Sequence, residues 1–157
     1  MSDGPIGEIF VTCSLVPDIE RAVADATAAL GFGFTPIQEA PLTLRTATGL
    51  EEFNLRFVYS TGEPPYLEFV EDVPGSYFSS GGVTAYRHIG IWVDDLKAAS
   101  DLVASRGYAL EAAGVDGDIE PFGFVHHRSA GGVRLELVDR ARQPVLEAWL
   151  GGGALEI

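Results

Sequence analysis

A single cysteine, Cys13, rules out an internal disulfide and suits a reducing compartment. Basic residues are also scarce: 10 Lys and Arg stand against 23 Asp and Glu, for a net charge of −13. That excludes binding to nucleic acid through phosphate contacts, which needs clustered cationic side chains. The acidic surface reads first as a solubility feature, with a preference for cationic ligands as the less favoured view. No apolar run approaches the roughly 20 residues of a membrane-spanning helix, so no membrane association is expected. The start Met1-Ser2-Asp3-Gly4-Pro5 has no basic segment leading into an apolar one, so no secretory signal is expected and the cytoplasm is the expected location. A Walker-type phosphate loop is lacking, since Gly31-Phe32-Gly33 has no Lys-Ser/Thr continuation. No Ser-His-Asp arrangement stands out, and Ser79-Ser80-Gly81-Gly82 reads as linker rather than as a nucleophile loop. With 46% hydrophobic and 21% charged residues, the composition is that of a folded, soluble chain. Its 157 residues suffice for one domain or for two small modules sharing a core.

The most informative stretch is Tyr86-Arg87-His88-Ile89-Gly90-Ile91-Trp92-Val93-Asp94-Asp95-Leu96. With a period of two, His88, Gly90 and Trp92 share one face of a strand, and Ile89, Ile91 and Val93 share the other. Asp94 and Asp95 then offer an N-cap and a first-turn carboxylate to a following helix. An imidazole opposite an all-aliphatic face points at whatever the sheet encloses.

In chain order, residues 1–7 are expected as a loose arm and 8–16 as a strand. Pro17 and Asp18 start a helix whose apolar stripe (Ile19, Ala22, Val23, Ala26, Leu30) ends at Gly31. Phe32-Gly33-Phe34 begins a strand, and further strands are expected near 42–47, at 52–59 and at 66–71. In Glu52–Tyr59, Phe53, Leu55 and Phe57 point inward, with Glu52, Asn54 and Arg56 on the opposite face. The Gly-, Ser- and Pro-rich segment 72–84 reads as a linker. The pattern then restarts: strand 86–93, a helix stopped by Gly107, a short strand Tyr108–Glu111, a loop over 113–120, a strand 122–127, a turn at Ser129–Gly132 and a strand 133–139. A short helical pattern follows at 145–150.

The halves match. Val16-Pro17-Asp18-Ile19 parallels Val93-Asp94-Asp95-Leu96, and Leu67-Glu68-Phe69-Val70-Glu71 parallels Leu135-Glu136-Leu137-Val138-Asp139. Each half is a β-α-β-β-β unit too small to bury its sheet well alone, so two are expected in one structure. The expected fold is α+β: a first module at 8–71, a linker at 72–85, a second module at 86–139 and a C-terminal tail at 140–157. Glu68 and Glu136 hold the same place on the last strand of each half and face the side of His88.

On these features, above all His88–Leu96 and Phe124–Leu137, the chain resembles the vicinal oxygen chelate superfamily of glyoxalase I, methylmalonyl-CoA epimerase, extradiol dioxygenases and bleomycin-resistance proteins. Residues 8–140 carry the likeness, and the second stretch is most similar to the epimerase branch. The resemblance implies curved mixed sheets enclosing a cleft that holds a divalent metal ion. Residue by residue, it implies Glu68, His88 and Glu136 as ligands. The remaining ligand, usually a His on the first strand, falls on Val11, which cannot ligate. Such a set suits Mn²⁺, Co²⁺, Ni²⁺, Fe²⁺, Zn²⁺ or Mg²⁺, which would bind two adjacent oxygens of a substrate and stabilise an enediolate or enolate.

Around this set, the face alternation puts Val11 and Cys13 on the cleft side of the first strand, with Cys13 read first as a small buried hydrophobe. If Arg128 and Gly132 pair across the turn, Phe124 faces Glu136 and His126 faces Arg134, which makes His126 a substrate contact or proton donor at the edge of the site. His127 faces away, toward the surface or a helix. Glu52 is the sequence's candidate general base, on a face with Asn54 and Arg56. Trp92, Phe122 and Phe124 are expected to line the pocket. Two functions follow: a metal-assisted isomerase, epimerase or lyase acting on an oxygenated metabolite or CoA thioester, or a non-catalytic protein that sequesters a small molecule such as an antibiotic. An extradiol dioxygenase fits less well, because that site has two His and one Glu and this chain reverses the count. A homodimer is expected, with a small molecule as the partner.

Overall fold

A computed structural model describes residues 4–155. Among them, eight strands and three α-helices run in the order β1 (Glu8–Val16), α1 (Ile19–Leu30), β2 (Gln38–Thr46), β3 (Gly49–Tyr59), β4 (Tyr66–Glu71), β5 (Ala85–Val93), α2 (Leu96–Ser105), β6 (Tyr108–Gly114), β7 (Phe124–Ser129), β8 (Arg134–Asp139) and α3 (Gln143–Leu150). The strands close a barrel in the order β1-β4-β3-β2-β6-β7-β8-β5. Within each half the first and last strands pair in parallel, β1 with β4 and β5 with β8. The halves join along two antiparallel seams, β1 with β5 and β2 with β6, so both modules pair within one chain.

Of the three aspartates expected at helix starts, Asp18 and Asp95 act as caps. Asp18 Oδ1 accepts from Arg21 N at 3.0 Å and Asp95 Oδ1 from Ala98 N at 2.9 Å, each from a residue in extended conformation. Pro17 therefore lies before the cap rather than in the first turn, and Asp94 is free to pair with Arg140 at 2.6 Å. Gly31, at φ 71°, ends α1 as the left-handed residue that a side chain would disfavour.

Several boundaries differ from the sequence expectation. Phe32-Gly33-Phe34 forms only an isolated bridge, Phe34 with Ser60, and the strand it was expected to begin starts at Gln38. Strand β6 runs three residues further, to Gly114, because Ala112 and Ala113 are buried and pair with β7, Ala113 within the cluster under the second helix. Of the expected loose arm, residues 1–3 lie outside the described residues, and Ile6 packs on the cluster around Val93 and Leu96. The segment 72–84 does connect the halves, but Phe78 on it is 2% exposed and enters the core beside Cys13, Leu15 and Val70. Trp149, on the tail helix, packs against Phe57 and Tyr59 with ring centroids 5.7 and 5.5 Å away. No helix among the described residues is long and apolar enough to cross a membrane.

Candidate metal and ligand site

The barrel encloses a cavity of about 660 Å³ whose wall includes Glu68, His88 and Glu136. The two halves contribute matching walls: Phe57 opposite Val70 in the first, Phe124 opposite Val138 in the second. Trp92, stacked on Phe10 at 3.8 Å, and Phe122 complete the expected aromatic lining. Pro41, Asp116 and Val145 are exposed lining residues and mark the mouth. There Arg142 lies over the Phe122 ring at 4.8 Å and makes no ion pair with a described residue.

Strand pairing brings the three expected ligands together. Cys13 on β1 is the register partner of Glu68 on β4 and of His88 on β5, while Gly90, two residues on from His88, is the partner of Glu136 on β8. His88 Nε2 stands 3.6 Å from Glu68 Oε2 and 3.4 Å from Glu136 Oε2. Donors about 2.1 Å from a tetrahedral ion stand about 3.4 Å apart, so these spacings suit shared coordination better than hydrogen bonding. His88 belongs to two donor groups, each within 4.8 Å internally: Cys13, Glu68 and His88, and His88, His126 and Glu136.

The two groups differ in how their atoms are engaged. Glu68 Oε2 and both ring nitrogens of His88 are buried without a hydrogen-bond partner. Unpaired buried atoms of this kind cost about 1–3 kcal/mol each, and a cation would satisfy those that face it. This donor chemistry fits a divalent ion, with His88 neutral as a ligand must be. Glu136 Oε2, in contrast, is 2.7 Å from His126 Nε2. His126 Nδ1 is 2.9 Å from Tyr77 Oη, which donates to Glu111 Oε1 at 2.6 Å, and Arg134 Nε holds the same oxygen at 2.9 Å.

Burial dominates the protonation of the cluster. It pushes the Glu68 carboxyl well above the usual carboxylate range, with the charge of Glu136 adding to the effect, and it raises Glu136 as well. The His126 imidazole is held well below its ordinary value by burial and then by the charge of His88, and burial lowers His88. The Cys13 thiol is pushed up by burial, then by Glu68 and Glu136.

Other expected residues fall elsewhere. Glu52 is exposed on the outer face of β3, because the apolar face of that strand, not the polar one, turns to the cavity. Asn54 is exposed on the same outer face, and Arg56 binds Glu20 at 2.6 Å and Glu71 at 2.8 Å across α1. None of the three reaches the cavity. Val11 is fully buried in the aromatic cluster behind the cavity wall, and Cys13 is buried beside Glu68 and His88 without lining the open space. A register shift between Ile9 and Val11 puts Phe10 in the wall and leaves Ile9 58% exposed. The β7–β8 hairpin turns one residue later in the chain than expected: Arg128 pairs with Arg134, since Ser129 and Val133 close the turn. That two-residue change in pairing moves His126 from Arg134 to a position directly opposite Glu136, inside the site rather than at its edge. Arg134 lies outside the cavity wall, bound to Glu111. His127 faces α2, buried, between Ser100 Oγ and Tyr108 O at 2.7 Å each.

Tyr77, Arg87, Glu111 and Arg142 were not picked out from the sequence. Arg87 covers the Tyr77 ring at 4.3 Å and donates to its carbonyl at 2.8 Å. Adjacent aromatics inside the polar 72–84 segment were the available signal for Tyr77 and Phe78.

A family model for the glyoxalase/bleomycin resistance protein/dioxygenase superfamily matches residues 12–124, and the chain belongs to that superfamily. No curated protein matches the sequence. Solved structures share the fold, among them methylmalonyl-CoA epimerases. The Mycobacterium tuberculosis protein is 16% identical, with a TM-score of 0.58 over 88% of this chain and 92% of that one. A Streptomyces coelicolor variant in complex with 2-nitronate-propionyl-CoA is 16% identical, with a TM-score of 0.58 over 86% and 95%. A methylmalonyl-CoA epimerase in complex with methylmalonyl-CoA and NH4+ is 16% identical, with a TM-score of 0.56 over 86% and 95%.

Proposed function

We propose that the protein is a cation-assisted isomerase, epimerase or lyase that moves a proton next to a carbonyl group, with an acyl-CoA thioester as the substrate class. The observation that carries this reading is the contrast on the cavity wall: Glu68 and His88 present unpaired buried atoms, while Glu136 is engaged in a hydrogen-bonded chain. Glu68 and His88 would hold a divalent ion, which when bound acts as a Lewis acid on a substrate oxygen. In place of Glu52, Glu136 is the proton-carrying group.

Hydrogen-bond counting assigns that proton. Tyr77 has one hydroxyl hydrogen and gives it to Glu111, whose carboxylate is held below its ordinary range against burial by Tyr77 and Arg134. The contact between Tyr77 Oη and His126 Nδ1 must then be donated by the imidazole. His126 Nε2 is left as an acceptor, so Glu136 supplies the proton in their 2.7 Å contact. Passing that proton to Nε2 makes Glu136 a base on the cavity wall and leaves a cationic His126 stabilised through Tyr77 and ionised Glu111. Passing it to substrate makes Glu136 the acid.

The cavity suits a ligand with an apolar arm. Phe57 and Trp149, in edge contact at 5.7 Å, supply part of its apolar wall, and the unpaired Arg142 offers a cation to an anionic group outside the mouth. Structural neighbours in the epimerase branch are named for methylmalonyl-CoA and support the thioester class. The cavity closes within one chain, so the expected homodimer is not needed to complete it. The apolar wall also supports the second reading, sequestration of a small molecule such as an antibiotic.

The test is metal analysis combined with exchange of the α-proton in D₂O over a panel of acyl-CoA thioesters that includes methylmalonyl-CoA. The expected result is stoichiometric divalent metal and deuterium uptake, both lost in His88→Ala. Protein that binds ligands without metal and exchanges no proton would establish sequestration instead.

A further inference from the structure

We propose that Cys13 is a third protein ligand to the cation held by Glu68 and His88, supplied by the first strand as a thiolate two residues beyond the place where the repeat puts a ligand. The inference rests on the reading that a cation binds here, and it adds both a residue and a metal class.

The register explains why the donor is displaced. Gly90 partners Glu136 and Cys13 partners Glu68, so Cys13 occupies in the first half the place of Gly90 in the second, and Val11 occupies the place of His88. Across the β1–β5 seam Val11 faces Gly90 and Cys13 faces His88. Val11 fills the space that a side chain at position 90 would need: a Cβ there would lie 2.3 Å from Val11 Cγ1. One seam pair is thus purely steric, and the other holds both donors.

Three observations place the thiol toward an ion. Cys13 Sγ, a Glu68 carboxylate oxygen and a His88 ring nitrogen all lie within 4.8 Å of one another. Cys13 and His88 are 0% and 1% exposed and Glu68 is 8% exposed, so the three donors are largely shielded from bulk solvent. Glu68 and His88, whose unpaired buried Oε2 and Nε2 stand 3.6 Å apart, are both members of this triad. A thiol serving only as packing against Leu15, Val70 and Phe78 would need neither partner.

The chemistry balances without a redox step. The S–H bond breaks, its proton leaves to the buffer, and the sulfur's electron pair forms the bond to the metal. A set of one thiolate, one imidazole and one carboxylate favours Zn²⁺, Co²⁺ or Fe²⁺ over Mg²⁺ and Mn²⁺.

Titrating the metal-free full chain with Co²⁺ tests this. The expected result is a stoichiometric near-ultraviolet thiolate-to-cobalt charge-transfer band. Cys13→Ser and Cys13→Ala, checked for folding by circular dichroism, should lose the band and bind Co²⁺ at least about tenfold more weakly. They should also lose part of the preference for Zn²⁺ over Mg²⁺. The wild-type band requires no variant, so a misfolded substitution leaves the test intact. Stoichiometric Co²⁺ binding without the band, still abolished in His88→Ala, would overturn the Cys13 assignment and leave the cation reading standing. Failure of Co²⁺ and Zn²⁺ to bind at all would remove both.

Discussion

Glu68 and Glu136 occupy one register position in two copies of the same unit, yet their surroundings have diverged. Glu68 faces Tyr59 across the β3–β4 pair, and Glu136 faces His126 across the β7–β8 pair. On the parallel side Glu68 meets Cys13 and Glu136 meets Gly90. The first half thus leaves its carboxylate dry with an unpaired oxygen, and the second half places its carboxylate on a chain through His126 and Tyr77 to Glu111. Duplication supplied two equivalent acids. The neighbouring strands gave them different partners, and the proposed function assigns the first acid to a cation and the second to a proton.

The sharpest way to break this comparison is to neutralise each acid in turn. Glu68→Gln should lose metal and, with it, activity. Glu136→Gln should keep metal and lose proton exchange by about 10²–10⁴-fold, the usual contribution of a positioned acid or base. Equal loss of metal in both variants, measured by elemental analysis, would restore Glu136 to the ligand set expected from the sequence.

The same pair should diverge in stability with pH when no metal is present. A carboxyl raised in the folded state keeps its proton where the unfolded chain, near a value of about 4.3, has lost it. Its contribution is complete below that value and is lost as pH rises through the raised folded value. Glu68 is raised well above the usual range by burial, and Gln has no proton to lose. The melting temperature of Glu68→Gln relative to wild type should therefore climb as pH rises above about 4.3. His88 and His126, held low by burial, destabilise the fold below about 6.5, so the difference is read most directly above that pH. A flat difference would mean that Glu68 is ionised and paired in the fold.

Next in size is the steric half of the seam. Gly90→Ala drives a Cβ to 2.3 Å from Val11 Cγ1 and 3.3 Å from the Phe10 ring. Overpacking of this kind costs about 1–3 kcal/mol. Val11→Ala should relieve much of it, so denaturant titration of the double variant should show strong non-additivity. Additive losses would separate Val11 from Gly90.

Much of the fold was legible because its signals are local and repeated: alternation in β5, aspartate caps at both long helices, and matching LEFVE and LELVD strands. The convergence of Glu68, His88 and Glu136 followed from that repeat. Glu52, Asn54 and Arg56 were misassigned because period-two alternation defines two faces without saying which encloses the ligand, and in a barrel with an apolar cavity the greasy face is the inner one. The partner of His126 depended on a turn whose closing pair, Ser129 with Val133, composition does not fix. Tyr77 and Trp149 reach the site from a connection and a tail, where no periodicity marks an inward side chain.

Tyr77→Phe gives the smallest and most selective perturbation. It removes the acceptor of the His126 Nδ1 proton and one donor to Glu111, while Arg134 still holds Glu111 at 2.9 Å. The imidazole can then take its other tautomer, donate from Nε2 to Glu136 and leave that carboxyl ionised. Reorganisation limits the loss of stability to about 1 kcal/mol, the net worth of an ordinary hydrogen bond. Metal content should not change, since neither Cys13, Glu68 nor His88 touches the hydroxyl. The pH profile of proton exchange should move, with its ascending limb at lower pH, because Glu136 no longer depends on His126 to take its proton. An unmoved profile with full stability would show that the chain from Glu136 to Glu111 does not set where that proton resides.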